Sequence, residues 1–334
     1  MKAIVLVGGF GTRLRPLTLV TPKQMLPIGS QSMIENVVSR LGRQGVTEAI
    51  LSLGYRPDAF RECFPNDECA GVRLRYAQEP EPLGTAGAIK FAAEYADIDS
   101  RFIVVNGDIL TSLDVRDLWN RHLDRDGLAS IALTPVDDPS RFGVVPTDRS
   151  GLVQAFIEKP TKGTAPTNNI NAGTYVLEPE VLDLIPGGSA VSIERETFPL
   201  LAEREALYAW SFDEYWLDAG TRASFVQANM DVIEMSGGRS IVDPAAVLGE
   251  DVEIDHSVVG AGARIERGAR IIDSVILPRA VVGPNAWIEG SVIGSESHVG
   301  MGARVASLSV VGTRQQIGAG AVLEKSLVPP ESEW

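Results

Sequence analysis

Cations, cysteine and histidine are scarce in this chain of 334 residues. Its 30 Lys and Arg are outnumbered by 44 Asp and Glu, leaving a net charge of −14 and a pI near 4.8. That balance argues against general binding to nucleic acid or an anionic membrane, both of which need a basic face. The only two cysteines, Cys63 and Cys69 in "CFPNDEC", make no disulfide framework and lack the tight spacing of a zinc site. They read as thiols in a reducing compartment. No apolar run reaches the roughly 20 residues of a membrane span, and the opening "AIVLV" is too short and wrongly flanked for a signal peptide. The expectation is a cytoplasmic protein with neither nucleic acid nor membrane as partner.

An acidic protein that binds an anion has to gather cations locally. One stretch does so: "GGFGTRLRPLTLVTPK" carries Gly8, Gly9, Gly11, Thr12, Arg13, Arg15 and Lys23 directly after the first apolar run. Glycines after a strand let backbone N–H groups approach phosphate oxygens, and neighbouring Arg and Lys neutralise them. The stretch has neither the Gly-Lys-Ser/Thr of a Walker A loop nor the third glycine of a dinucleotide fingerprint.

The chain has two grammars. Up to about residue 220, apolar runs ("AIVLV", "EAILSLG", "VRLRYAQE", "RFIVVNGD", "LASIALTPV") alternate with helix-period segments. These helices are expected in "SMIENVVSRLGRQG", with Met33, Val37 and Leu41 on one face, "PDAFRECF", "GTAGAIKFAAEYA" and "DVRDLWNRHL". The alternation predicts a Rossmann-like α/β fold with a mostly parallel sheet covered on both faces. Ligands of such sheets bind beyond the carboxyl ends of the strands, where the glycine stretch and Asp108 fall. From about Ile241 the sequence falls into blocks opened by an aliphatic residue. Val242, Val259, Ile276 and Ile293 are 17 residues apart and Val311 follows after 18. A 6+6+5 period is that of a hexapeptide-repeat solenoid, a left-handed parallel β-helix of about five coils. The expected domains are 1–222, a linker helix over 223–240 ending at Gly237 and Gly238, and the β-helix over 241–334.

The motifs in order resemble those of the sugar-1-phosphate nucleotidyltransferases, or nucleotide-sugar pyrophosphorylases: "GGFGTRLRPLTLVTPKQMLPI", "EPLGTAGAI", "VVNGDIL", "RFGVVPTD", "FIEKP", "NINAGTYVLEPEVL", "VSIERETFPLL" and "YWLDAGT". The resemblance spans the whole first domain, and a β-helix tail is a common attachment in that family. Its reaction joins an NTP to a sugar 1-phosphate and releases pyrophosphate. Because two anions must meet, the protein supplies positive charge and alignment more than covalent chemistry.

The resemblance implies that Arg13 and Lys23 act on the triphosphate, with Arg15 either helping or bracing the loop. It also implies that Asp108 and Asp218 hold Mg²⁺, the two being the catalytic carboxylates. Gly8, Gly9, Gly11, Thr12, Glu79, Gly84 and Thr85 would line the nucleotide. Gly143, Glu158, Lys159, Asn171 and Gly173 would line the sugar phosphate. "SIERETFPLL" reads as a helix behind the site capped by Ser192, with no catalysis assigned to Glu194 or Glu196.

Glu79 stands where thymidylyl and uridylyl members carry glutamine. A carboxylate only accepts, which suits the adjacent N1–H and N2 amino donors of guanine. Gln78 next door and the "PKQ" of the opening loop point back towards pyrimidine members. The expectation is GTP with mannose 1-phosphate. The alternatives are dTTP or UTP with glucose 1-phosphate, GTP with a cyclitol phosphate, or a catalytically silent regulatory subunit. His256 and His298 on the β-helix raise acyl transfer, but no lysine-rich extension for coenzyme A accompanies them. Packing between subunits, giving a homo-oligomer, is the preferred role of that domain.

Overall fold

The computed structural model describes residues 1–54 and 57–334. Its chain forms two compact units that do not follow chain order: Met1–Gly9 with Val37–Trp216, and Phe10–Asn36 with Leu217–Trp334.

The first unit is built on one large sheet. Lys2–Leu6 lies at its centre, parallel to both Glu48–Leu53 and Phe102–Asn106, and Val72–Gln78 extends it in parallel beyond Glu48–Leu53. Asn169–Leu177 runs antiparallel between Phe102–Asn106 and Ala129–Pro135, and Leu207–Ser211 adds in parallel to the latter. All five apolar runs expected as strands are strands. Four of them lack polar alternation because they are covered, and Ile4, Ile50, Phe102, Val104 and Tyr175 belong to one buried core with Phe198 and Leu201. Val72–Gln78 instead alternates buried Val72, Leu74 and Tyr76 with Arg73 and Arg75. The helix Gly84–Tyr95 lays Ala86, Ile89, Ala92 and Ala93 against that core, small side chains that allow close approach. Asp114 caps the helix Val115–Leu123 by accepting from Arg116 N.

"SIERETFPLL" departs from a plain helix. Ile193–Thr197 forms a wide π-type turn, and the α-helix proper covers Phe198–Glu203. Pro199 supplies the reason, having no N–H to carry the α ladder back across its own first turn. Ser192 caps this segment as expected, accepting from Arg195 N.

In the second unit the helix Arg222–Ser236 is capped by Thr221 and ends at Gly237 in the left-handed conformation. Asn229, fully buried, accepts from Gly29 N and donates to Phe225 O, fastening the short hairpin Pro27–Ser32 to the helix. Beyond it lies a three-sided solenoid with parallel sheets of six, five and five strands. Val242, Val259, Ile276, Ile293 and Val311 stack in register, each on the next, as the 17-residue period requires.

Two devices sustain the stack. The first is a column of left-handed corner residues, one of which runs Asp251, Gly268, Asn285, Gly302 and Gly320. The second is a ladder of buried serines. Ser274 N donates to Ser257 Oγ, Ser291 N to Ser274 Oγ, and Ser326 N to Ser309 Oγ, at 3.0, 3.1 and 3.1 Å. The single 18-residue step is absorbed at one corner, where Ser307 and Leu308 both adopt positive φ and Val310 regains register with Val292.

Candidate active site

In the first unit the opening glycines sit at the carboxyl end of the central strand. Gly8 and Gly9 face open space, so an added side chain would meet nothing within 4 Å, and Gly9 has φ +98°. Asp108 is half-buried in the turn after Phe102–Asn106. Its neighbour Gly107 packs so closely on Leu6 O that a methyl there would stand 2.9 Å away.

Glu79 is buried, and its carboxylate already holds the following loop: Oε2 accepts from Leu83 N at 3.0 Å and Oε1 from Ser52 Oγ at 3.3 Å. Each oxygen keeps a further lone pair. Gly84 has φ +69°, and a Cβ would lie 2.5 Å from Val191 O. The glycine is therefore demanded by the neighbouring backbone. Thr85 has a local duty of the same kind: its hydroxyl donates to Glu194 Oε2 at 2.6 Å and accepts from Ile193 N at 2.8 Å.

A bulge in Asn169–Leu177 lies between Asn171, which still pairs with Leu133, and Tyr175, and it contains Gly173. Asn171 Oδ1 accepts from Gly173 N and its Nδ2 donates to Tyr175 Oη, both at 2.9 Å. Burial, reinforced by Glu194, pushes the Tyr175 hydroxyl well above its ordinary pKa, so it stays protonated. Gly173 (φ +71°) is needed because a Cβ would fall 2.6 Å from Asn106 Nδ2. Gly143 pairs with Glu158, and a Cβ on it would reach within 2.6 Å of the Phe156 ring. Lys159, at φ +50°, reaches Glu158 Oε1 at 3.1 Å with its ammonium largely in solvent.

In the second unit Gly11, Thr12, Arg13 and Lys23 belong to a loop of three short 3₁₀ turns. Gly11 (φ +60°) sits against Thr18 and Lys23 Cβ. Lys23 is 7% exposed, a rare degree of burial for lysine. Arg13, more than half exposed, lies 3.7 Å from Asp218 Oδ2, while Asp218 Oδ1 accepts from Gly220 N at 2.8 Å. Gly220 is the hub. A methyl on it would stand 2.5 Å from Asp218 Oδ1, 2.7 Å from Arg13 Nη2 and 2.9 Å from Lys23 Nζ. Side chains from two motifs far apart in the chain, Arg13 and Lys23 from one and Asp218 from the other, thus converge on one bare backbone position. The sequence reading gave Gly220 no role, although it ends the "WLDAG" run. It also gave none to Asn106 or Tyr175, and left Glu194 without catalysis, as the structure does by pairing it with Thr85.

On the β-helix, His256 occupies a left-handed corner with Nδ1 2.7 Å from Asp273 Oδ1, the placement of a corner-bracing residue. Among the described residues no group of three or more His, Cys, Asp or Glu could by itself enclose a metal ion. None of the helices there is long and apolar enough to cross a membrane.

A Rossmann-like sheet with a glycine–cation loop, a strand-end aspartate and an appended β-helix defines a nucleotide-handling transferase. The chain belongs to the nucleotidyl transferase family, whose model matches residues 2–235, and a "GMPPB C-terminal domain" model matches residues 236–333. It is a family of nucleotidyl-transferring enzymes.

The chain is 39% identical over 288 residues to the mannose-1-phosphate guanylyltransferase of Mycobacterium tuberculosis (strain ATCC 25618 / H37Rv), covering 83% of this chain and 79% of the relative. It is 38% identical over 269 residues to the mannose-1-phosphate guanyltransferase of Kluyveromyces lactis, covering 79% and 73%. Among solved structures, HddC from Yersinia pseudotuberculosis aligns with TM-score 0.60 and 31% identity over 69% of this chain and 99% of that one. The same protein has been solved with GMP-PN. A putative glucose-1-phosphate thymidylyltransferase from Bacillus anthracis aligns with TM-score 0.63 and 28% identity, over 69% and 94%.

Proposed function

We propose that this chain transfers a guanylyl group from GTP to mannose 1-phosphate, forming GDP-mannose and pyrophosphate. The observation that carries the reading is the gathering of Arg13, Lys23 and Asp218 around Gly220. An exposed ion pair at 3.7 Å is weak, so Arg13 can exchange its carboxylate partner for a phosphate oxygen at little loss. Lys23, held almost out of water, interacts more strongly with an arriving polyphosphate than a solvated lysine would. In this reading both stabilise charge that builds on the leaving pyrophosphate. Gly8, Gly9, Gly11 and Thr12 present backbone N–H groups to the phosphates.

The resemblance of the guanylyl-transferring relatives supports GTP as donor. Glu79 supports it through its two remaining lone pairs. Gly84 and Thr85 serve the nucleotide by holding the loop after Glu79. Lys159 takes the sugar phosphate, Glu158 accepts from sugar hydroxyls, and Asn171 accepts from or donates to them across the space kept by Gly143 and Gly173. The mannose phosphate oxygen attacks the α-phosphorus in line as pyrophosphate departs.

Asp108 and Asp218 are the proposed carboxylates for a divalent cation, most simply Mg²⁺. Hard oxygen donors suit that ion, and two carboxylates leave its other positions to phosphate oxygens and water. When bound, the cation neutralises phosphate charge. Residues 1–222 would carry the chemistry, 223–240 the linker, and 241–334 the packing of a cytoplasmic homo-oligomer.

The test is pyrophosphate release with Mg²⁺ across GTP, ATP, UTP, CTP and dTTP, each with a panel of sugar and cyclitol 1-phosphates. Release confined to GTP with mannose 1-phosphate supports the reading. A preference for dTTP or UTP with glucose 1-phosphate overturns the base assignment, and GTP with a cyclitol phosphate overturns the acceptor.

A further inference from the structure

Given the polyphosphate-binding role proposed for the loop Phe10–Leu26, what holds that loop in place becomes a functional question. Its three 3₁₀ turns, Thr12–Leu14, Leu17–Leu19 and Lys23–Met25, are too short to define their own position. Support comes from within the same compact unit. Leu14, Leu17 and Leu26 are buried, and Arg222 Nη1 donates to Arg15 O at 3.1 Å.

Further support is a coil of the β-helix. A methyl on Gly312 would lie 3.1 Å from Pro16 Cβ, 3.1 Å from Val328 O and 3.3 Å from Pro16 O. Gly312 is not among the left-handed glycines, so no turn geometry demands it. The close approach of Pro16 on the loop side, together with Val328 O of the next coil, does. Nor can Gly312 retreat: its N–H donates to Val328 O at 2.6 Å and its carbonyl accepts from Ser297 Oγ at 2.6 Å.

We propose that Gly312 is a positioning residue for nucleotide binding: the bare backbone of this coil is the seat on which Pro16 rests, and it sets the height at which Arg13 and Lys23 meet a polyphosphate. On this view the β-helix is a working part of the anion site in addition to any role in assembly. Displacement of the loop by even a fraction of an ångström then shows in catalysis, since errors near 1 Å cost up to about 10²-fold.

The experiment compares Gly312→Ala, Gly312→Val and the control Gly318→Ala, whose added methyl meets nothing within 4 Å. The wild-type enzyme is assayed first: if it releases pyrophosphate from no donor–acceptor pair, the functional reading falls before any variant is judged. With an active wild type, Gly312→Ala is expected to raise KM for the NTP about tenfold and Gly312→Val further. KM for the sugar 1-phosphate should stay at its wild-type value even if crowding of Val328 O lowers the melting temperature, and Gly318→Ala should match wild type throughout. Calorimetric binding of inorganic tripolyphosphate should weaken in parallel, a readout independent of turnover. If Gly312→Ala unfolds, Pro16→Gly removes the same contact from the loop side and should give the same rise in KM for the NTP. Unchanged NTP and tripolyphosphate affinity in a folded Gly312→Ala or Pro16→Gly variant overturns the proposal, as does an equal loss of affinity for both substrates.

Discussion

Glycine serves two ends here, and substitution separates them. Gly84 combines φ +69° with a carbonyl 2.5 Å from where its Cβ would be. Gly84→Ala should therefore destabilise the fold by about 1–3 kcal/mol, seen as a lower denaturant midpoint. Gly220 has no positive φ, and its open side faces Asp218, Arg13 and Lys23. Gly220→Ala should leave the midpoint nearly unmoved yet lower kcat/KM by roughly 10²-fold, because it parts the charges. Asp108→Asn is expected to abolish most turnover with the fold intact; unchanged activity would remove Asp108 from the metal assignment.

The titrating residue to watch is His122. It is buried, its Nδ1 2.7 Å from Ser130 Oγ and its Nε2 3.2 Å from Glu178 Oε1. Burial lowers its pKa despite the opposing pull of Glu178. Its folded-state pKa lies below that of the unfolded chain, so the unfolded state takes up the proton first as pH falls through about 6.5. Its contribution is fully present above that pH and is lost on acidification. A urea series from about pH 8 to pH 5 should show wild type losing more stability than His122→Gln.

At the scale of elements, the serine ladder makes a sharp forecast. Ser274→Ala strands the buried N–H of Ser291 without its acceptor. The expected cost is about 1–3 kcal/mol in the melting of the solenoid. The same forecast would fail if a water took the place of the hydroxyl.

This scale also shows what could be read in advance. The solenoid was legible because its repeat is local: an aliphatic residue every 17 positions is the same fact in sequence and in space. Four strands of the first unit were legible as nearly unbroken apolar runs for a related reason, whereas Asn169–Leu177 and Leu207–Ser211 were not read as strands. The duties of single site residues were not. Thr85 meets Glu194 across 109 positions, and nothing in either motif announces the partnership. Glu79 was read for the lone pairs it offers outward, whereas Leu83 N and Ser52 Oγ already draw on it from within. The π-type turn before Pro199 was legible only as a helix, since one proline shifts the ladder without disturbing the apolar spacing.

For the molecule as a whole, the net charge of −14 opposes the approach of an anionic substrate, while Arg13 and Lys23 attract it only at close range. Added salt screens the distant repulsion more than the contact, because the Debye length falls to about 10 Å at 0.1 M. Catalytic efficiency with the NTP should accordingly rise between roughly 10 and 100 mM monovalent salt at fixed free Mg²⁺. A steady fall over that range would mean the local cations govern encounter as well as binding.

The corner at Ser307 and Leu308 carries a last implication. A coil there accommodates one residue more than its neighbours, and the next strand returns to register as though nothing had been added. The solenoid thus has a seam that accepts length. A fluorophore-bearing or affinity peptide spliced between these two residues would ride outside the stack, a natural attachment point for following this enzyme without touching its chemistry.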